Sequence, residues 1–380
     1  MEILQQKIND NKANHDTLLY DVAIGLLPGI GSMLTRQLVS YCGSSENIFR
    51  QTKGKLKKIP GIGEVLAGAI INQNILKDAE TELRLAEKSG TKLLFYTDKN
   101  YPERLKHIAD APTLLYYYGN ADLNPARAIA IVGTRKATEY GREMVEKLVQ
   151  ELASFSPLII SGLAYGIDIA AHKASLTNNQ QTIGVMASGI DIIYPSVHRD
   201  TAKKMVNMGG LITENRFGSK PDAPKFPARN RIIAGMCDAL IVVEAAVKGG
   251  ALITADIAAS YDREVFSVPG RLGDNYSEGC NMLIRDHKAH ILTSATDLIK
   301  MMNWEEGNNK PEKLKVDYSD LNPEESQVVN LLLGRDSVLL DDLSWKSQIP
   351  VGRVAATLLN LEFRGIVKSL PGKKYKLIAG

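Results

Sequence analysis

From residue 127 to about 300 the chain repeats one pattern, a short apolar run followed by a helical stretch. The runs are AIAIVG, LIISG, TIGVMAS, GLITE, ALIVVEA, EVFSVPG and AHILT. Strands that alternate with helices form a parallel sheet covered by helices on both faces. The fold class is therefore α/β with a mostly parallel sheet. Ligands meet such sheets at the carboxyl ends of the strands, so the loops after each run are where a site is expected.

The remaining sequence divides around that core. A chain of 380 residues exceeds the usual single-core domain, and 44% apolar with 23% charged residues is the balance of a folded globular protein. Two or three domains are expected. Residues 1–16, MEILQQKINDNKANHD, form a polar leader without a basic start and apolar run, and nowhere do about 18 apolar residues follow one another. A soluble, cytoplasmic protein with no membrane partner is the expectation. Residues 17–90 read as helical and carry LLPGIGSMLTRQLV and later LKKIPGIGEVLAGAI, a partial echo. In each copy Pro-Gly-Ile-Gly turns the chain sharply before a helix, at Gly29 and Gly31 and again at Gly61 and Gly63. This resembles a helix-hairpin-helix or SAM-like unit, whose exposed helix start can hold a phosphate; plain connectors in a small bundle are the other reading. The main domain spans 91–302, and 303–317 is a polar linker without periodicity. Residues 318–380 read as three helices and a hairpin turning at Pro371-Gly372, the make-up of a winged helix.

Net charge of +3 excludes little, so the distribution of cations has to carry any nucleic-acid argument. Four loops repay comparison. In AIAIVGTRKATEYG, Gly133 permits a close turn, Thr134 offers a hydroxyl, and Arg135 a planar fork for anionic oxygens. The loop is neither GxGxxG nor a Walker sequence, so it suits phosphate without specifying a cofactor. In SGLAYGIDIAAHKASL, Ser161 and Gly162 end a strand, Asp168 is placed to cap the next helix, and His172 and Lys173 follow one turn later. Ser161, Asp168 and His172 match no nucleophile elbow. The third loop, ENRFGSKPDAPKFPARNRIIAGMCD, gathers Arg216, Lys220, Lys225, Arg229 and Arg231 around Phe226, with Arg229 and Arg231 expected at a helix start. Cations for a backbone and an aromatic face for a base are what single-stranded nucleic acid requires; a solvated loop with Phe226 in the core is the plainer alternative. The fourth, VVEAAVKGGALITADIAA, runs through Gly249 and Gly250 into a helix.

No metal site is expected. Cys42, Cys237 and Cys280 are scattered without a CxxC, and His287 and His290 lack a completing carboxylate or thiolate set. The cysteines read as reduced thiols.

Taken in order, YPERL, DAPTLLYYYG, IAIVGTR, SGLAYGIDIAAH, YPSVHRD, GGLITE, FPARNRIIAG, GGALITA and VPG with SEGCNMLI make the chain similar to the DNA processing protein A family, DprA or Smf. The resemblance implies an extended Rossmann-like domain flanked by the helical and winged-helix domains. It also implies single-stranded DNA as ligand, protection of that strand, loading of RecA recombinase during natural transformation, a homodimer through the Rossmann-like domain, no cofactor and no enzymatic activity. Residue by residue, Arg135, Ser161, Gly162, Phe226, Arg229, Asn230 and Arg231 fall where the family's DNA pocket lies. Gly133, Thr134, Lys173, Lys225, Gly249 and Gly250 join the candidate set from their charge and position. Tyr165 stands where many members carry a basic residue. Two other readings use the same sheet: a nucleotide-processing enzyme of the phosphoribohydrolase type, with Glu244, Asp168 or Glu214 as acid or base, and an adaptor that binds only proteins.

Overall fold

The computed structural model describes residues 17–304, 321–335 and 337–378. Its centre is a nine-stranded sheet in the order β1-β2-β6-β5-β4-β3-β7-β8-β9. The seven runs of the sequence are β3 (Ala128–Val132), β4 (Leu158–Ser161), β5 (Thr182–Val185), β6 (Gly210–Thr213), β7 (Ala239–Val242), β8 (Glu264–Ser267) and β9 (His290–Ile291). Each is parallel to its neighbours among the seven. The connection before them adds β1 (Lys92–Phe95) and β2 (Leu114–Gly119), antiparallel strands that extend the β6 edge. Chain order reverses at β3, with β4 on one side and β7 on the other. That is the switch point at which open sheets of this kind leave a crevice.

Both faces of the sheet are apolar because both are buried. Ala128, Ala130 and Val132 join one core, with Ile232, Ile233 and Leu252 from the covering helices. Ile129 and Ile131 join the opposite core, with Val145, Leu148 and Ala171. Strict alternation in side-chain direction thus turns one uninterrupted apolar run into two half-cores.

Helices over 17–26, Ser32–Cys42, Ser45–Phe49, Lys53–Leu56, Glu64–Asn72 and Ile75–Ser89 make the N-terminal domain. Gly29 and Gly61 both take left-handed φ, +79° and +82°. A side chain at Gly29 would meet Leu66, and one at Gly61 would meet Leu34, so each hairpin turn is the seat of the other's helix. The internal echo in the sequence is therefore a reciprocal packing of two hairpins. The leader falls outside the described residues, as does the linker beyond Trp304. Trp304 itself packs against Phe155 at 5.9 Å between ring centroids.

The C-terminal domain has helices Pro323–Leu332, Leu340–Ser347 and Val351–Phe363, with β10 (Val338–Leu339), β11 (Val367–Leu370) and β12 (Lys374–Leu377). Asn322 and Glu325 form a reciprocal capping box with Pro323 at the first turn, which sets where the domain's first helix starts. The hairpin turns through Pro371-Gly372, and its next residues, Lys373 and Lys374, reach Asp262 and Asp238 at 2.8 and 3.2 Å. Asp238 immediately precedes β7, so the wing is seated at the amino ends of the strands, opposite the crevice.

Asp238 is the anchor of that contact. It accepts both arms of the Arg104 fork at 2.9 and 2.7 Å, the Ala128 N–H at 3.0 Å, and Lys374. Burial alone would raise its pKa, but these cations and the N–H outweigh it and hold the carboxyl at about 2. Its stabilisation is complete above the unfolded carboxylate value of about 4 and is lost as the pH falls toward 2. Asp238→Asn is expected to lower stability at pH 7 by about 3 kcal/mol in urea unfolding, and to flatten the acid limb of the stability profile over that window.

Candidate nucleic-acid interface

The loops after β3, β4, β5, β6 and β7 enclose a cleft of about 630 Å³ at the switch point. The β3 loop is fixed first. Thr134 N–H donates to the Glu244 carbonyl at 2.7 Å, and Ile167 N–H donates to the Thr134 carbonyl at 3.2 Å. Gly133 has no room for a side chain, which would lie 2.5 Å from Ile167 and 2.9 Å from the Glu244 carbonyl. The buried Glu244 carboxylate receives Thr138 through its N–H at 2.9 Å and its hydroxyl at 2.5 Å. Glu244 is therefore a strut between β7 and the β3 loop.

Arg135 stands at the mouth of the cleft. Its guanidinium lies over the Phe226 ring, 5.1 Å from the centroid, and no carboxylate pairs with it among the described residues. Tyr194 adds a second ring, tilted and 6.0 Å from Phe226, and is about half exposed. A small annex beyond them is lined by Tyr165, Gly162 and Arg229. Gly249 and Gly250 close another side, where the helix Gly250–Ser260 starts with an extended Gly249 cap and no capping side chain. That helix start favours an anion.

Arg229 forms the floor. It is buried, and its guanidinium donates to the carbonyls of Gly162 and of Val185, joining the carboxyl ends of β4 and β5. Asp168 lies beside it. Burial pushes the Asp168 pKa up against the pull of Arg229, and burial pushes the Arg229 pKa down against the support of Asp168. Gly166, not Asp168, is the helix cap; the Asp168 carboxylate instead accepts the Ala164 N–H at 3.4 Å.

Several candidate residues stand elsewhere. Arg229 and Arg231 lie past the first turn, since the helix runs Lys225–Met236. Arg231 turns from the cleft to pair with Glu214 and the Asp110 carbonyl. Lys225 lies at the rim, held by the Lys220 carbonyl at 2.8 Å and Asp222 at 3.1 Å. Lys173 is exposed on its helix and outside the cleft lining. The Ser161 hydroxyl is buried, donates to the Ile131 carbonyl at 2.6 Å and lies against the Asp168 carboxyl rather than facing the cleft. Gly133, Thr134, Arg135, Phe226, Arg229, Asn230, Gly249 and Gly250 do line the cleft, and Gly162 lines the annex. Tyr194, the first residue of the YPSVHRD run, also lines the cleft, with no local signal in the sequence to mark it.

Ser161 and His172 form no triad. The His172 Nδ1 lies 2.7 Å from the Thr182 hydroxyl, which itself donates to Ile159, so Nδ1 carries the proton. Nε2 is buried without a partner among the described residues. His290 pairs with Glu264 at 3.2 Å, and no metal-binding group of His, Cys, Asp and Glu occurs among the described residues.

Residues 92–303 match the sequence model of the family described as DNA recombination-mediator protein A, and residues 313–373 match the DprA winged helix domain. The chain is 30% identical to Protein Smf of Synechocystis over 94% of its own length and 98% of that protein. It is 42% identical to DNA processing protein DprA of Streptococcus pneumoniae over 53% of its length and 71% of that protein. The X-ray structure of the pneumococcal DprA superposes with a TM-score of 0.64 at 34% identity, covering 74% of this chain and 95% of that one. DNA processing protein A from Helicobacter pylori, whose structure is described as giving insight into a unique single-stranded DNA binding mode, superposes with a TM-score of 0.51 at 29% identity, covering 55% and 94%.

Two outcomes follow from the floor of the cleft. A side chain at Gly162 would overlap the Arg229 guanidinium and lie 2.5 Å from Asp168, so Gly162→Ala is expected to cost about 1–3 kcal/mol in thermal unfolding. Burial, then Arg229 and His198, depress the His172 pKa to about 3. Since the unfolded ring takes its proton near 6.5, this group removes stability as the pH falls below that value toward about 3. NMR titration should find the His172 ring neutral from pH 7 to about 4; a midpoint near 6 would contradict its burial.

Proposed function

The chain belongs to the DNA recombination-mediator protein A family, the DprA and Smf proteins, which are mediators and not enzymes, and from that footing we propose that its cleft grips single-stranded DNA. The observation that carries this reading is Arg135, a guanidinium with no carboxylate partner among the described residues, lying on the Phe226 ring at the cleft that the helix start at Gly249-Gly250 also lines. A phosphate meets Arg135 and the backbone N–H groups, while a base stacks on Phe226 and Tyr194. Because Arg135 covers Phe226, a base reaches that ring only when the guanidinium swings off it. The phosphate draws the cation to one side, and the exposed face receives the base.

Such contacts read no base edges, so one cleft accepts many sequences. A protein of this kind coats an incoming strand, shields it from nucleases and hands it to RecA during natural transformation. We assign it to the cytoplasm, acting as a homodimer through the Rossmann-like domain. No helix among the described residues is long and apolar enough to cross a membrane. The likeness to the Helicobacter pylori protein supports the strand as ligand. The acid candidates of the enzyme reading are otherwise engaged: Glu244 by Thr138, Glu214 by Arg231 and Asp168 beside Arg229.

The test is fluorescence anisotropy with a labelled oligonucleotide, single-stranded against double-stranded, across a salt series. Arg135→Ala should weaken single-strand binding about tenfold and reduce the slope of log affinity against log salt by about 0.7, one phosphate contact. Phe226→Ala should weaken binding by roughly 1–3 kcal/mol with that slope kept. Unchanged affinity and slope in Arg135→Ala would sink the assignment. Pull-down of RecA with and without the oligonucleotide then separates hand-over of a strand from protein contact alone.

A further inference from the structure

The wall of the cleft between β6 and the Lys225–Met236 helix does not stand by itself. Arg216, one of the cations of that loop, faces away from the cleft and donates to the Leu26 carbonyl at 2.7 Å. Leu26 ends the helix over 17–26, so a cation there meets the negative end of the helix. The next residue, Phe217, donates its N–H to the buried Glu82 carboxylate at 3.3 Å. Its ring packs edge-on against Tyr116 with centroids 5.6 Å apart. Glu82 belongs to the helix Ile75–Ser89. Two successive residues of the wall are thus held by two helices of the N-terminal domain.

The same short segment is fastened on its other side to the loop after β5. Gly218 N–H reaches the Asp191 carboxylate at 3.0 and 3.1 Å, and Gly189 N–H reaches the Ser219 carbonyl at 2.8 Å. Just beyond these anchors the chain lines the cleft with Pro221 and Phe226, while the β5 loop supplies Tyr194. The two rings thus come from two loops that are fastened to each other, Phe226 from the clamped segment and Tyr194 from the β5 loop.

We propose that Glu82 and Arg216 are positioning residues for the strand-gripping cleft, through which the N-terminal helical domain sets the wall bearing Phe226. The proposal rests on the function assigned above. A phosphate ligand and a positioning residue respond differently to substitution, and Glu82 gives the sharper contrast. Removing an acid near a DNA site should, by charge alone, leave affinity unchanged or raise it. Loss of the clamp lowers it.

The experiment uses the full chain, a labelled oligo-dT and a salt series, with hydrogen exchange of residues 214–226 in the free protein. Glu82→Ala is expected to weaken binding about three- to tenfold with the salt slope unchanged and to speed exchange in the wall. Glu82→Gln, which keeps an acceptor for Phe217, should restore most of the affinity. Arg216→Met, at an exposed position that leaves the core intact, should weaken binding similarly at constant slope, and it carries the test if Glu82→Ala fails to fold. Tighter or equal binding in Glu82→Ala with unaltered exchange would overturn the proposal. So would a slope reduced by about 0.7 in Arg216→Met, since that marks a phosphate ligand. If the wild-type protein binds no strand, the assigned function falls. Exchange in the wall would then decide alone whether the helical domain holds it.

Discussion

A guanidinium sealed beneath the carboxyl edge of the sheet is the constraint around which the site is organised. Burying a cation costs several kcal/mol unless its hydrogen bonds and a counter-charge are supplied. Arg229 donates through one nitrogen to the carbonyls of Gly162 and Val185 and has Asp168 beside it, while its Nε finds no partner among the described residues. The consequences spread outward. Position 162 must lack a side chain, since any Cβ there would occupy the space of the guanidinium. Asp168 must sit inside the first turn rather than at the cap, and the ends of β4 and β5 are held together as one rim. His172, beneath that rim, is kept neutral by the same burial and the same positive neighbour.

This division of labour also explains why so basic a loop leaves so few cations facing the cleft. Arg216 secures the N-terminal domain, Arg231 secures Glu214 and Asp110, and Lys225 closes its own loop. Arg135 has no carboxylate partner among the described residues and rests on Phe226. Charge in the sequence is therefore a poor measure of charge in the cleft. Arg216, Arg231 and Lys225 go into building walls, while Arg135 lies on an aromatic face at the cleft.

The central sheet was legible because its physics is local. Each apolar run between helical stretches became a strand, and parallel pairing follows from the crossovers. The stretch 91–120, with KLLFY and LLYYYG, reads as a strand-and-turn connection, and its antiparallel place at the β6 side of the sheet stayed hidden because that pairing is long-range. At the site, Gly133, Arg135 and Phe226 could be read because a turn glycine, an exposed arginine and an aromatic among cations each carry a local signal. Arg231 could not, for its partner Glu214 lies across a loop whose path no periodicity encodes. The direction of the Ser161 hydroxyl could not be read for a related reason: a strand's last hydroxyl can face the rim or the sheet, and here it donates to Ile131. Tyr194 gave no signal apart from its membership of a quoted run.

The placement of the winged helix follows from charge at the other end of the sheet. Its wing lysines, Lys373 and Lys374, are engaged by Asp262 and Asp238, and Arg353 on its third helix is paired with Glu324. The outer face of that helix presents Gly352, Ala356, Leu359 and Phe363, with Leu359 and Phe363 51% and 83% exposed. A helix that tracks a duplex needs cations for phosphates and polar groups for base edges. In this arrangement Lys373 and Lys374 join the wing to the sheet and are not free to meet a duplex. The carboxyl end of the sheet thus carries the open cleft, and the amino end is used to carry a domain.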